Sequence, residues 1–141
     1  MLYFAYGSNM NLEQMSYRCP NAKNLGYAKI KGWGLRERTF ADIEPAKGET
    51  VHGLLWDINK AHERTLDRYE GVKNGMYTKY WMKVEHEGRR KMALVYIMTE
   101  GATIKRQAVP FTDHYKYGCL EGAIENGIPV DKLYSFEKVL G

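Results

Sequence analysis

Clustered and alternating apolar positions divide the chain into a strand-rich first part and a helical final third. Leu2 to Tyr6 is a short apolar and aromatic run stopped by Gly7-Ser8-Asn9, which predicts a strand followed by a turn. Asn11 stands where it can cap a short helix running to about Arg18 and ending at Pro20. Leu25 to Ile30 and Trp33 to Phe40 read as two strands around Gly32, and the polar stretch Asp42 to Thr50, with Pro45 and Gly48, reads as a loop. Val51 to Ile58 is a further strand; Asn59 then caps a helix from Lys60 to Glu70, with Gly71 in the stop position. Thr78 to Glu85 alternates and pairs with Lys91 to Thr99 across His86-Glu87-Gly88, a hairpin. Thr112 to Asn126 and Val130 to Leu140 read as helices, the first closed by Gly127 and the second preceded by Pro129.

Strands first and helices later predict one α+β domain over residues 1–141. Its five or six strands form a curved antiparallel sheet able to close into a small barrel with flanking helices. A barrel mouth is a natural small-molecule site. The last helix, with Leu133, Tyr134, Phe136, Val139 and Leu140, is expected to cover the barrel; joining a partner is the alternative, so both monomer and homodimer stay open.

Composition narrows the classes. Apolar residues make up 44% and charged residues 27%, enough for a core and against disorder. Lysine and arginine outnumber the acids by 21 to 17, giving +4, but they are scattered, and Arg89-Arg90-Lys91 belongs at the hairpin tip, so no nucleic-acid footprint is present. The longest strongly apolar run, Met92 to Met98, has strand length, well short of the roughly 20 residues of a membrane span. The first seven residues lack the basic start of a secretory signal. Cys19 and Cys119 form neither a disulfide framework nor a zinc pattern, and the histidines at 52, 62, 86 and 114 lack ligand spacing. The expectation is a cytoplasmic protein without a metal or membrane partner.

Two features suggest chemistry. A glycine directly after a buried strand, followed by Ser8 and Asn9, can form a loop whose N–H groups converge on a carboxylate or an oxyanion. Locally it also fits a plain strand-ending turn, the more ordinary reading. Glu70 shares a helix face with Leu66 and sits on the last turn, so burial and the helix dipole both raise its pKa toward the range of a general acid or base. The ordinary alternative is a solvent-facing glutamate or a partner for Arg68 or Lys73. Cys119 reads as a small buried helix residue and His114 as a partly buried structural histidine; Tyr77, Tyr115 and Tyr117 either offer hydroxyls or pack.

Tyr3-Phe4-Ala5-Tyr6-Gly7-Ser8-Asn9, then Leu66-Asp67-Arg68-Tyr69-Glu70-Gly71-Val72, then Gly75-Met76-Tyr77 resemble the gamma-glutamylcyclotransferase family. Val51-His52-Gly53-Leu54-Leu55-Trp56 and Glu125-Asn126-Gly127-Ile128-Pro129 fit it as well, and the resemblance spans residue 2 to about residue 133. It implies a β-barrel fold and a cofactor-free reaction in which the α-amine of a γ-glutamyl amide attacks its own γ-carbonyl. The products are 5-oxoproline and a free amine or amino acid. By the resemblance Glu70 matches the catalytic glutamate, and Tyr3, Phe4, Ala5, Tyr6, Gly7 and Ser8 match the substrate-binding loop, with Asn9 directly after them. Tyr115 aligns with a substrate-binding tyrosine, and Tyr77 is a further candidate. Met10 replaces a common leucine without consequence, whereas the acidic Asp42-Ile43-Glu44-Pro45 stretch bears on which acceptor leaves. The rival readings are the same cyclisation used to remove a γ-glutamyl protecting group, and a non-catalytic module that binds a small carboxylate ligand.

Overall fold

The computed structural model describes residues 1–107 and 109–129; the helix expected over Val130 to Leu140 lies outside the described residues. Five strands close a barrel in the order β1-β3-β2-β4-β5. β1 (Leu2–Ala5) runs antiparallel to β3 (Phe40–Asp57) and parallel to β5 (Arg89–Met98), where Tyr3 faces Leu94. β2 (Lys23–Arg38) joins β4 (Tyr77–His86) through Lys29 and Glu85, and β4 pairs with β5 along its whole length. The sheet is therefore mixed rather than purely antiparallel. The β4–β5 turn places Glu87 and Gly88 at φ 51° and 75°, the signs a two-residue hairpin loop needs.

β2 and β3 form one long hairpin, where three short strands and a polar loop were expected. β2 continues through Gly26 and Gly32, both at positive φ, with the register shifting between Asn24 and Gly26 and between Lys31 and Trp33, instead of breaking there. The Asp42 to Thr50 stretch is strand because its charges are answered across the hairpin. Arg38 pairs with Asp42 at 2.7 Å and with Glu44, and Arg36 pairs with Glu49 at 3.0 Å. Polarity there marks cross-strand partners, and the irregularity left by Pro45 and Gly48 is absorbed where pairing jumps between Lys31/Thr50 and Trp33/Pro45.

Side-chain alternation splits the core in two. Phe4, Ile30, Val51, Leu55, Val84 and Val95 fill the barrel, whereas Tyr3, Leu54, Trp56, Leu94 and Tyr96 face outward beneath the helices. The helices are α1 (Leu12–Arg18), α2 (Lys60–Tyr69), α3 (Glu100–Arg106) and α4 (Asp113–Glu125). Asn11, Asn59, Thr99 and Thr112 cap them through side-chain oxygens. α3 is absent from the sequence expectations; its signals are the Thr99 cap, Glu100 in the first turn and Lys105 and Arg106 in the last. Gly122 lets α4 lie directly on the chain after β1, since a Cβ there would come within 2.3 Å of the Met10 carbonyl carbon.

Candidate active site

A cavity of about 780 Å³ opens where the end of β1 meets α1, the end of α2 and α4. Its inner wall holds Tyr6, Gly7, Ser8, Asn9, Ala41, Glu70, Tyr77 and Tyr115.

β1 ends at Ala5, and the chain turns through Gly7 into a single 3-10 turn, Ser8–Met10. Among the described residues the amide N–H groups of Gly7, Ser8 and Asn9 make no hydrogen bond, as the first donors of a helical turn must unless something outside it accepts. A Cβ on Gly7 would stand 2.9 Å from the Tyr115 hydroxyl and 3.2 Å from the Ala41 Cβ, so only glycine fits this approach without a shift.

Asn9 is buried and fixes its surroundings with every polar atom it has beyond its N–H. Its Nδ2 donates to the Tyr3 hydroxyl at 2.9 Å, its Oδ1 accepts from Gln14 and from Arg18 at 3.0 Å each, and its carbonyl accepts from the Trp56 indole at 3.1 Å. Arg18 is thereby laid over the Tyr69 ring, 4.0 Å from its centre.

Glu70 caps α2 at its C-terminus, with Leu66 fully buried one turn before it. Its carboxylate lines the cavity and makes no hydrogen bond or ion pair among the described residues. Burial pushes its pKa up to about 7, and the Arg18 guanidinium pulls against that rise. A carboxyl group that titrates near neutrality can both take and return a proton. Arg68 and Lys73, its ordinary partners by sequence, do not pair with it.

The two tyrosines divide their protons by geometry. Tyr77 donates its hydroxyl proton to the Ala41 carbonyl at 2.7 Å, whereas Tyr115 accepts from the Ala41 N–H at 3.0 Å. Tyr115 therefore keeps a proton to donate into the cavity, and Tyr77 offers only lone pairs. The Ala41 backbone between them is anchored one residue on, where Asp42 accepts from the Met98 N–H at 2.9 Å and from Arg38. The acidic stretch at Asp42 to Pro45 is thus paired with Arg36 and Arg38.

Not every residue expected at the site faces the cavity. Phe4 is fully buried in the barrel, Ala5 packs beneath the helices, and Tyr3 stands behind Asn9. His114, expected to be partly buried, is exposed on the rim with Tyr117, because both lie on the outward side of α4. Cys19 and Cys119 are buried and do not form a disulfide. Arg18 was not anticipated: nothing in the spacing of Asn9 and Arg18 announces that a turn and a short helix bring them together.

Residues 3–117 match the family model described as gamma-glutamyl cyclotransferase, AIG2-like. The human gamma-glutamylcyclotransferase is 34% identical over 143 residues, covering 92% of this chain and 73% of that protein. The bovine gamma-glutamylcyclotransferase is also 34% identical, over 96% of this chain and 78% of its own length. A solved structure titled gamma-glutamyl cyclotransferase superimposes with a TM-score of 0.83 at 32% identity, covering all of this chain and 86% of that one.

Proposed function

Because the chain belongs to the gamma-glutamyl cyclotransferase, AIG2-like family, we propose that it cleaves γ-glutamyl amides by cyclising the glutamyl group, with Glu70 as the single proton carrier. The observation that carries the assignment of roles is the Glu70 carboxylate, unpaired among the described residues, held near neutrality and set in the same cavity as three unused backbone N–H groups.

The reaction places the attacking amine and the γ-carbonyl in one molecule, so the protein's task is to fold the glutamyl chain and to move protons. The ionised Glu70 takes a proton from the α-amine as its nitrogen forms a bond to the γ-carbon. The carbonyl oxygen becomes an oxyanion, and the amides of Gly7, Ser8 and Asn9, which have no acceptor among the described residues, donate to it. Glu70 then returns the proton to the leaving nitrogen as that C–N bond breaks and the carbonyl re-forms. The products are 5-oxoproline and a neutral amine, no water is consumed, and no cofactor chemistry is called for. Tyr115 donates to the substrate α-carboxylate, and Tyr77, with lone pairs free, accepts from the α-amino group, which enters the reaction as the free amine after its ammonium form has lost a proton to solvent.

The test is product identity in ¹⁸O-water with a γ-glutamyl amide. Unlabelled 5-oxoproline released in equal amount to the amine is the expected result. Glutamate carrying ¹⁸O would mean hydrolysis, and a thermal shift with neither product would leave a binding module.

A further inference from the structure

The outer part of the cavity carries a signature that the cyclisation chemistry leaves unused. Beyond Glu70 its mouth is lined by Glu13 of α1 and Glu121 of α4, together with the exposed rings of Tyr17 and Tyr117. The two helices are tied at this point: the Asn11 side chain donates to the Gly118 carbonyl at 3.1 Å. Glu13 follows Asn11 by two residues, and Glu121 lies one turn beyond Gly118, so both carboxylates belong to one junction. Among the described residues neither takes part in an ion pair, although most other acids facing a basic side chain in this fold do. Arg18, the one arginine lining the cavity among the described residues, is committed to Asn9 and to the face of Tyr69.

Among the described residues this mouth carries the carboxylates of Glu13 and Glu121 beside the His114 imidazole, on a chain whose net charge is +4. A ligand drawn by the overall charge would be an anion; one that fits the mouth must be a cation. The tyrosine faces point the same way, because aromatic rings beside a carboxylate hold ammonium groups by their negative quadrupoles. With the glutamyl group seated at Glu70 and the glycine loop, only the leaving group extends outward to Glu13 and Glu121.

We infer that this enzyme favours γ-glutamyl amides whose leaving amine carries a second, positively charged amino group, held by Glu13 and Glu121 with Tyr17 and Tyr117. The inference rests on the cyclotransferase reading for the orientation of the substrate.

Three amides with four-carbon leaving amines test it: those of butylamine, 1,4-diaminobutane and 4-aminobutyrate, whose outer ends are neutral, cationic and anionic. The expected kcat/KM order is cationic, then neutral, then anionic, with roughly three- to tenfold between cationic and neutral at low salt, as two exposed carboxylates allow. The gap closes at about 1 M salt, where the screening length is about 3 Å. In Glu13→Gln/Glu121→Gln the cationic-to-neutral ratio falls to about one; being a ratio on one protein, it is unaffected by a loss of folded material. Equal rates for the three amides, or a ratio unmoved in the double variant, would overturn the inference while leaving the cyclisation intact. Calorimetric Kd values for the same amides on Glu70→Gln give the order without turnover. If no amide is cyclised yet the cationic one binds tightest, the mouth assignment stands and the reaction falls; equal Kd values overturn the mouth assignment.

Discussion

The Asn9 side-chain oxygen accepts a hydrogen bond from the Arg18 guanidinium at 3.0 Å, and this bond sets where the charge nearest Glu70 is held. Arg18→Met removes that charge while keeping an apolar stem over Tyr69. Since the guanidinium lowers the Glu70 pKa, its loss raises it further. The pH at which kcat/KM rises to half its plateau is expected to move upward from about 7, by up to about one unit. A pH–rate profile of both proteins checks it; an unchanged midpoint would separate Arg18 from the catalytic carboxyl.

Tyr115→Phe and Tyr77→Phe are expected to differ in kind. Tyr115 packs edge-on against Phe40 with ring centres 5.2 Å apart, a contact that Phe retains. Its hydroxyl, however, is the donor left for substrate, so KM rises about tenfold or more with a smaller effect on kcat, and the buried Ala41 N–H loses its side-chain acceptor at about 1 kcal/mol of stability. Tyr77→Phe leaves the buried Ala41 carbonyl without its donor, so stability falls by about 1–2 kcal/mol alongside activity. Steady-state kinetics and urea melts on the two variants distinguish the patterns.

Gly122→Ala places a methyl group within 2.5 Å of the Met10 and Asn11 backbone, which must move. The expected cost is about 2 kcal/mol, several degrees in Tm, together with lost activity because the displaced segment continues the Gly7 to Asn9 loop. Gly118→Ala, on the same helix with nothing within 4 Å of the added carbon, is the control and is expected to hold or raise Tm. Thermal melts decide between them.

Glu70 also leaves a mark on stability. Its pKa is raised from 4.5 to about 7, so the folded state holds a proton that the unfolded state has lost. Stability therefore declines as pH rises through that window, and the penalty is complete above about 7. Glu70→Gln removes the penalty, so the variant is expected to be more stable than wild type by up to about 3 kcal/mol above neutrality and equal to it near pH 4.5. Urea denaturation at the two pH values measures this; a difference independent of pH would contradict a buried, titrating carboxyl.

Local signals carried much of this architecture. Asn11 and Asn59 were readable as caps, and the hairpin between β4 and β5 was readable from alternation and the turn at His86-Glu87-Gly88. The interior face of Glu70 followed from Leu66 four residues before it. The long β2–β3 hairpin was hidden because Asp42, Glu44 and Glu49 look like loop until the arginines across the strand are known. Likewise Ala41 carries no chemical signal, yet its backbone N–H and C=O direct the hydroxyls of two tyrosines that are 38 positions apart in sequence. Such relationships depend on pairing register and helix docking, which no local window contains.

The central claim is that Glu70 carries the proton in an intramolecular cyclisation, and the most direct measurement is 5-oxoproline release by wild type and Glu70→Gln at saturating γ-glutamyl amide. The variant keeps the cavity's shape and is expected to bind substrate with a Kd close to that of wild type while losing at least about a hundredfold in kcat. Release by Glu70→Gln at a rate near that of wild type would contradict the account.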